Sequence, residues 1–75
     1  MNSLRLRECL RIVRWSSDTL AEALGCDISL VLAWRENIEE IPIEVGAWLE
    51  TLATAHNAAE AVTPDTVRGK FFRAN

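Results

Sequence analysis

The chain has 75 residues, 49% of them apolar, and a formal net charge of −3. That length holds one small domain, and the apolar content excludes a disordered chain. No apolar run approaches the ~20 residues of a membrane-spanning helix, and an acidic total argues against a phosphate-binding surface unless the charges are segregated.

They are segregated. Residues 1–14 hold Arg5, Arg7, Arg11 and Arg14 against Glu8, whereas residues 15–40 hold Arg35 against Asp18, Glu22, Asp27, Glu36, Glu39 and Glu40. Residues 41–62 add only the acids Glu44, Glu50 and Glu60. Residues 63–75 return to a basic balance, with Arg68, Lys70 and Arg73 against Asp65. Both ends are basic and the middle is acidic.

The first predicted element is a helix from about Ser3 to Arg14. At 100° per residue, Leu6, Cys9, Leu10, Ile12 and Val13 share one arc, with Arg7, Arg11 and Arg14 opposite. The arginine side reads as a solvated face or as a source of phosphate contacts. Arginines interleaved with leucines make an amphipathic helix and not a secretion signal, so a cytoplasmic location is expected.

Ser16 is the predicted cap of a second helix, with Asp18 in its first turn and Leu20, Ala21 and Leu24 as its buried stripe. Gly25 follows at a predicted left-handed turn. Asp27 caps a third helix whose inward positions are Val31 and Trp34, and Asn37 marks its end. After "IEEIP", Pro42 opens a fourth helix with apolar positions at Val45, Trp48, Leu49, Leu52, Ala53 and His56 or Ala59. Thr63-Pro64-Asp65 reads as the start of a short final helix or as a loop, and "VRGKFFRAN" is a basic tail with two aromatics. The organisation expected is one domain over 1–62 and a short C-terminal helix or basic tail over 63–75.

The stretch "WSSDTLAEALGCDISLVLAWRENIEEIP" resembles the helix-turn-helix regulators of the Cro/C1 repressor (XRE) class, especially short versions from phage and mobile elements. The matching residues are Trp15-Ser16, Leu20-Ala21, Leu24-Gly25-Cys26, Asp27, Val31, Trp34 and Ile41-Pro42, then Trp48-Leu49. The resemblance implies an all-α fold of four to five helices, with helices 2 and 3 forming the helix-turn-helix. It also implies a homodimer that binds double-stranded operator DNA, usually an inverted repeat, and acts as repressor or autoregulator. By position, Ser17, Ile28, Ser29, Leu32 and Ala33 match DNA-facing places, while Arg35, Asn37 and Ile38 match the segment that touches backbone phosphates.

The chain departs from that pattern in a specific way. Where such regulators display amides and cations, it offers Ser29 among Ile28, Leu30, Leu32 and Ala33, and "ENIEE" after the Trp is acidic. Arg5, Arg7, Arg68, Lys70 and Arg73 are the charges available to compensate as phosphate contacts. The alternative is a protein-interaction module of the same fold, such as an antiactivator that docks on another transcription regulator through the apolar face. The two readings separate on whether Leu30 and Leu32 face inward.

The remaining candidates have plainer expectations. Cys9 and Cys26 form no disulfide framework, and with one histidine there is no zinc set; both read as reduced, buried thiols. Trp15, Trp34 and Trp48 are spaced as core and helix-junction anchors, and His56 as a structural or interface residue. Phe71 and Phe72 are expected to cover the core or a dimer seam, with helix 4 and the tail supplying the dimer surface. No nucleophile–base set, phosphate loop or cofactor motif is present, so the chain is not expected to be an enzyme.

Overall fold

The computed structural model describes residues 1–73 and contains four α-helices, with no strand among the described residues. They are α1 (Ser3–Val13), α2 (Ser17–Leu24), α3 (Ile28–Arg35) and α4 (Ile43–Glu60). The start of each of the first three is fixed by one side chain. Asn2, Ser16 and Asp27 have extended backbones, and their side chains accept from the amides of Arg5, Thr19 and Ser29. Each satisfies a donor that the first helical turn leaves unpaired. Pro42 precedes α4 and provides no side-chain cap.

The ends are equally local. Arg14 turns left-handed at φ 61°, and the Trp15 amide reaches back to the Leu10 carbonyl at 2.9 Å. Gly25 does the same for α2 at φ 70°, letting Cys26 donate to the Ala21 carbonyl at 3.0 Å. Asn37 takes a left-handed conformation (φ 59°) beyond α3. There, Ile38 and Glu39 both donate to the Ala33 carbonyl.

The core is small. Leu6, Cys9 and Leu10 of α1 meet Leu20 and Ala21 of α2, Val31 and Trp34 of α3, Ile41 of the connection, and Leu49 and Ala53 of α4. Helix α1 is the hub: it packs on α4 and on α3, and α2 packs on α3. Met1 lies over Gly46, where a Cβ would stand 3.1 Å from the methionine Cβ, so glycine allows the close approach. Further along, Arg5 meets Glu50 and Arg14 meets Glu60, so both ends of α1 are tied to α4. Trp15 and Trp48 close the upper junction with ring centroids 5.8 Å apart and tilted by 54°.

Beyond Ala53, α4 contributes nothing to this core. Seven more helical residues and the chain to Arg73 run past it; of these only His56 is even half-buried. The result is a molecule 53 Å long with a radius of gyration of 16.0 Å, against about 11 Å for a compact chain of this length. Residues 61–73 form turns and extended chain without a fifth helix, and Phe71 and Phe72 stand 71% and 90% exposed. The expectation that these aromatics cover the core is thereby corrected: the tail has no contact that would bring them back to it.

No atom lies within 4 Å of the Cβ that a substitution would add at Gly25. The cost there is therefore conformational. Gly25→Ala is expected to lower stability by about 1 kcal/mol, while Gly25→Asn retains most of it, as read by chemical denaturation. Equal loss in both would place the cause in packing instead.

Candidate recognition surface

The α3 helix projects one face into the core and another into solvent. Val31 and Trp34 are buried, and Ile28, three residues before Val31, is half-buried against the same core. Ile28 was expected to face outward; the three-residue spacing turns it inward instead. The outward positions are Ser29, Leu32, Ala33 and Glu36, with Leu30 on the flank. Leu30 is 38% exposed and Leu32 44% exposed, so neither belongs to the core.

Polar groups on this face are already engaged locally. The Ser29 amide donates to the Asp27 carboxylate at 2.9 Å, and the polar groups of Ser29 hold the acid below its ordinary pKa. A carboxylate thus sits at the N-terminal end of α3, the end expected to approach a ligand. Ser17, the other predicted phosphate contact, is buried at the start of α2, where its hydroxyl accepts from Arg35 Nη1 at 2.6 Å. That bond ties the last turn of α3 to the first turn of α2. Asn37 and Ile38 are exposed just beyond, beside Glu36, Glu39 and Glu40.

Arg5 and Arg7 of α1, and Arg14 at its C-terminal end, bond the molecule's own acceptors. Arg5 forks between Glu50 and Glu8, with its second contact to Glu50 at 3.0 Å. The Glu50 hydrogen bond raises the guanidinium pKa, and Arg5 in turn lowers that of Glu50. Arg7 donates to the Arg35 carbonyl at 2.9 Å and reaches Glu36 at 3.4 Å. Arg14 reaches Glu60 at 3.3 Å. Arg5 and Arg7, expected as phosphate contacts, are therefore placed in intramolecular pairs. The reason is that their acceptors lie 45 and 28 residues away and come together only on folding.

Models of known protein families, curated proteins and solved structures offer no match to this chain. The surface is therefore read from its own chemistry. The bases outside ion pairs among the described residues are Arg11 on α1, Arg35 at the end of α3, and Arg68, Lys70 and Arg73 of the tail. Arg73 lies over the Phe71 ring at 4.9 Å. The described residues contain no cluster of metal-ligating side chains, and no helix among them is long and apolar enough to cross a membrane.

Two features escape the periodicity of the sequence. One is a groove of about 400 Å³ at the start of α4, lined by Met1, Arg5, Ile43, Gly46, Ala47 and Glu50. The other is the half-satisfied interior at Cys9 and Trp34. The Cys9 thiol is fully buried and donates to Glu50 Oε1 at 3.3 Å; burial, then that carboxylate, pushes its pKa up. Trp34 Nε1 is buried without a partner among the described residues. The signal that could have located the groove is the adjacency of Ile43 to a small residue pair, Gly46-Ala47.

Acid should unpick this network. The ordinary pKa values are 3.8 for Asp27 and 4.5 for Glu50, and both are lowered in the folded chain. The stability they add is complete above those values and is lost as pH falls through the lowered ones. The double variant Asp27→Asn/Glu50→Gln keeps a helix cap and should show a shallower fall in Tm between pH 6 and pH 3. An acid limb as steep as that of the native chain would contradict the assignment.

Proposed function

We propose that the chain is a Cro/C1-like helix-turn-helix domain whose α3 face has been turned from DNA toward protein. In this reading it controls transcription by docking on another transcription regulator, as an antiactivator does. Support for the fold rests on α2 and α3 packed together across the Gly25–Asp27 turn, with α1 behind them. The observation that carries the function is the chemistry of the α3 face. Leu30 and Leu32 are exposed, Asp27 caps its leading end, and Glu36, Glu39 and Glu40 follow it. Affinity for DNA rests on neutralised phosphates, and the bases nearest this face are held by internal acceptors.

A second reading keeps operator DNA as the partner, and one observation favours it. Arg35 Nη1 on Ser17 leaves the other guanidinium donors beside the N-terminus of α2, an arrangement suited to a phosphate. In that case Ser29, Leu32 and Ala33 would meet base edges, Asn37 would set register, and the bases of the tail would supply further phosphate contacts.

Helix α4 supports a two-fold dimer in either reading. Its covered side is Gly46, Leu49 and Ala53. The opposite side, Ile43, Glu44, Ala47, Thr51, Thr54, Ala55 and Ala58, carries one acid, with Glu50 at its edge paired to Arg5. A solvent-facing helix surface ordinarily alternates charges, so this one is suited to an antiparallel copy of itself.

The readings divide experimentally. Full-length protein is titrated at graded salt against DNA from upstream of its own gene, and Leu30→Asp/Leu32→Asp is scored in a promoter reporter. The interaction module predicts no salt-steep DNA binding and loss of regulation in the leucine variant, with its Tm within a few degrees of native. Binding that weakens steeply with salt, and is abolished by Arg35→Ala while the leucine variant still regulates, overturns it.

A further inference from the structure

The tail is basic with exposed aromatics, and the α4 groove is apolar with acids beside it in the chain. Val67, Phe71 and Phe72 of the tail are exposed to 67%, 71% and 90%. Apolar surface of that kind in water is unfavourable and unusual on a small chain. Around the aromatics stand Arg68, Lys70 and Arg73. The groove has an apolar floor of Met1, Ile43, Gly46 and Ala47, and Ile43 is 84% exposed. Glu40 and Glu44 flank Ile43 in the chain and are exposed, and the groove's one arginine is paired with Glu8 and Glu50.

Within one chain these two features are at opposite ends of α4. The helix has 18 residues, so about 27 Å separates the groove from the start of the tail. An antiparallel copy changes that separation. Two α4 helices crossing near Thr51 set Glu60 of each beside Ile43 of the other. The tail then leaves its helix next to the partner's groove. From Ala61 to Phe72 the chain needs only a fraction of its extended reach of roughly 3.3 Å per residue.

We propose that the tail segment Val67–Arg73 of each copy seats Phe71 and Phe72 in the α4 groove of the other, with Arg68 and Lys70 facing Glu40 and Glu44. This clasp rests on the two-fold reading above and adds to it the element that closes the dimer. Opposite charges at its rim set the orientation, and the buried rings supply the attraction. The exchange is reciprocal, so one two-fold axis closes both contacts and no open chain of molecules forms.

The test uses two full-length variants, Arg68→Glu/Lys70→Glu in the tail and Glu40→Lys/Glu44→Lys at the groove. All four positions are exposed, so both variants are expected to keep the native circular dichroism and Tm. Sedimentation without DNA should give each variant alone a dimer constant at least tenfold weaker than native. Mixed one to one, they should recover near-native dimerisation, because each reversed tail then meets a reversed groove and each native tail a native one. Phe71→Ser/Phe72→Ser should weaken the dimer by a similar factor, and no mixing should rescue it. A native chain that stays monomeric overturns the two-fold reading and the clasp with it. A dimer that all three variants leave unchanged overturns the clasp alone, including the case where the tail variants lose only DNA affinity. Rescue when both charge changes share one chain but not in the mixture shows the tail folding onto its own groove, and also overturns it.

Discussion

The first helix packs on both α3 and α4, and three arginines on it or at its end bond acceptors within the molecule. Arg5 fixes Glu50, Arg7 holds the Arg35 carbonyl, and Arg14 meets Glu60. Exposed contacts of this kind are screened by solvent and add little to stability. Burial of side chains such as Leu6, Leu20 and Leu49, each fully enclosed, contributes about 1.5–3 kcal/mol apiece and decides stability. The arginines decide something else. They tie α1 to α4 at two points and the end of α3 to α1. The same contacts remove positive charge from the surface, which links the geometry of the fold to the chemistry left for a partner.

What the sequence made legible was local. Ser16, Gly25, Asp27 and Asn37 each act on backbone within a few residues, and each takes the expected place at a helix end. Val31, Trp34, Leu49 and Ala53 are buried as their spacing required. Ile28 shows where two kinds of expectation collide: helical spacing puts it with Val31, positional resemblance puts it outside, and the spacing prevails. The fate of Arg5, Arg7 and Ser17 was not legible, because it depends on Glu50, Arg35 and Glu36, which are remote in the chain. A row of arginines looks the same in sequence whether its acceptors are phosphates or the protein's own carboxylates.

The surface that remains is apolar in three separate places, namely the α3 face, the outer side of α4 and the tail. Charge separates them. The α3 end is acidic through Asp27, Glu36, Glu39 and Glu40, and the tail is basic. A single DNA-reading surface would bring bases together on α3, and the arrangement here disperses them. In the proposed interaction reading, the acidic rim would repel phosphates at short range while leaving the leucines free to pack.

The length of α4 carries the final step. The last seven residues of α4 propagate from turns that are already packed and need no new nucleus, but they add nothing to the core. Here Thr54–Glu60 remains helical with His56 bonded to Glu60 and Arg14 bridging to the same carboxylate. Those contacts are weak and exposed, and the alanines between them bury nothing. An antiparallel copy lying on Ala47, Thr51, Thr54, Ala55 and Ala58 would cover these residues and order the last turns from which the tail departs. Folding of the end of α4 and association of two chains are then one event, because the same apolar face drives both. In the two-fold reading proposed above, that coupling would let a 75-residue chain cover the outer side of its 18-residue helix.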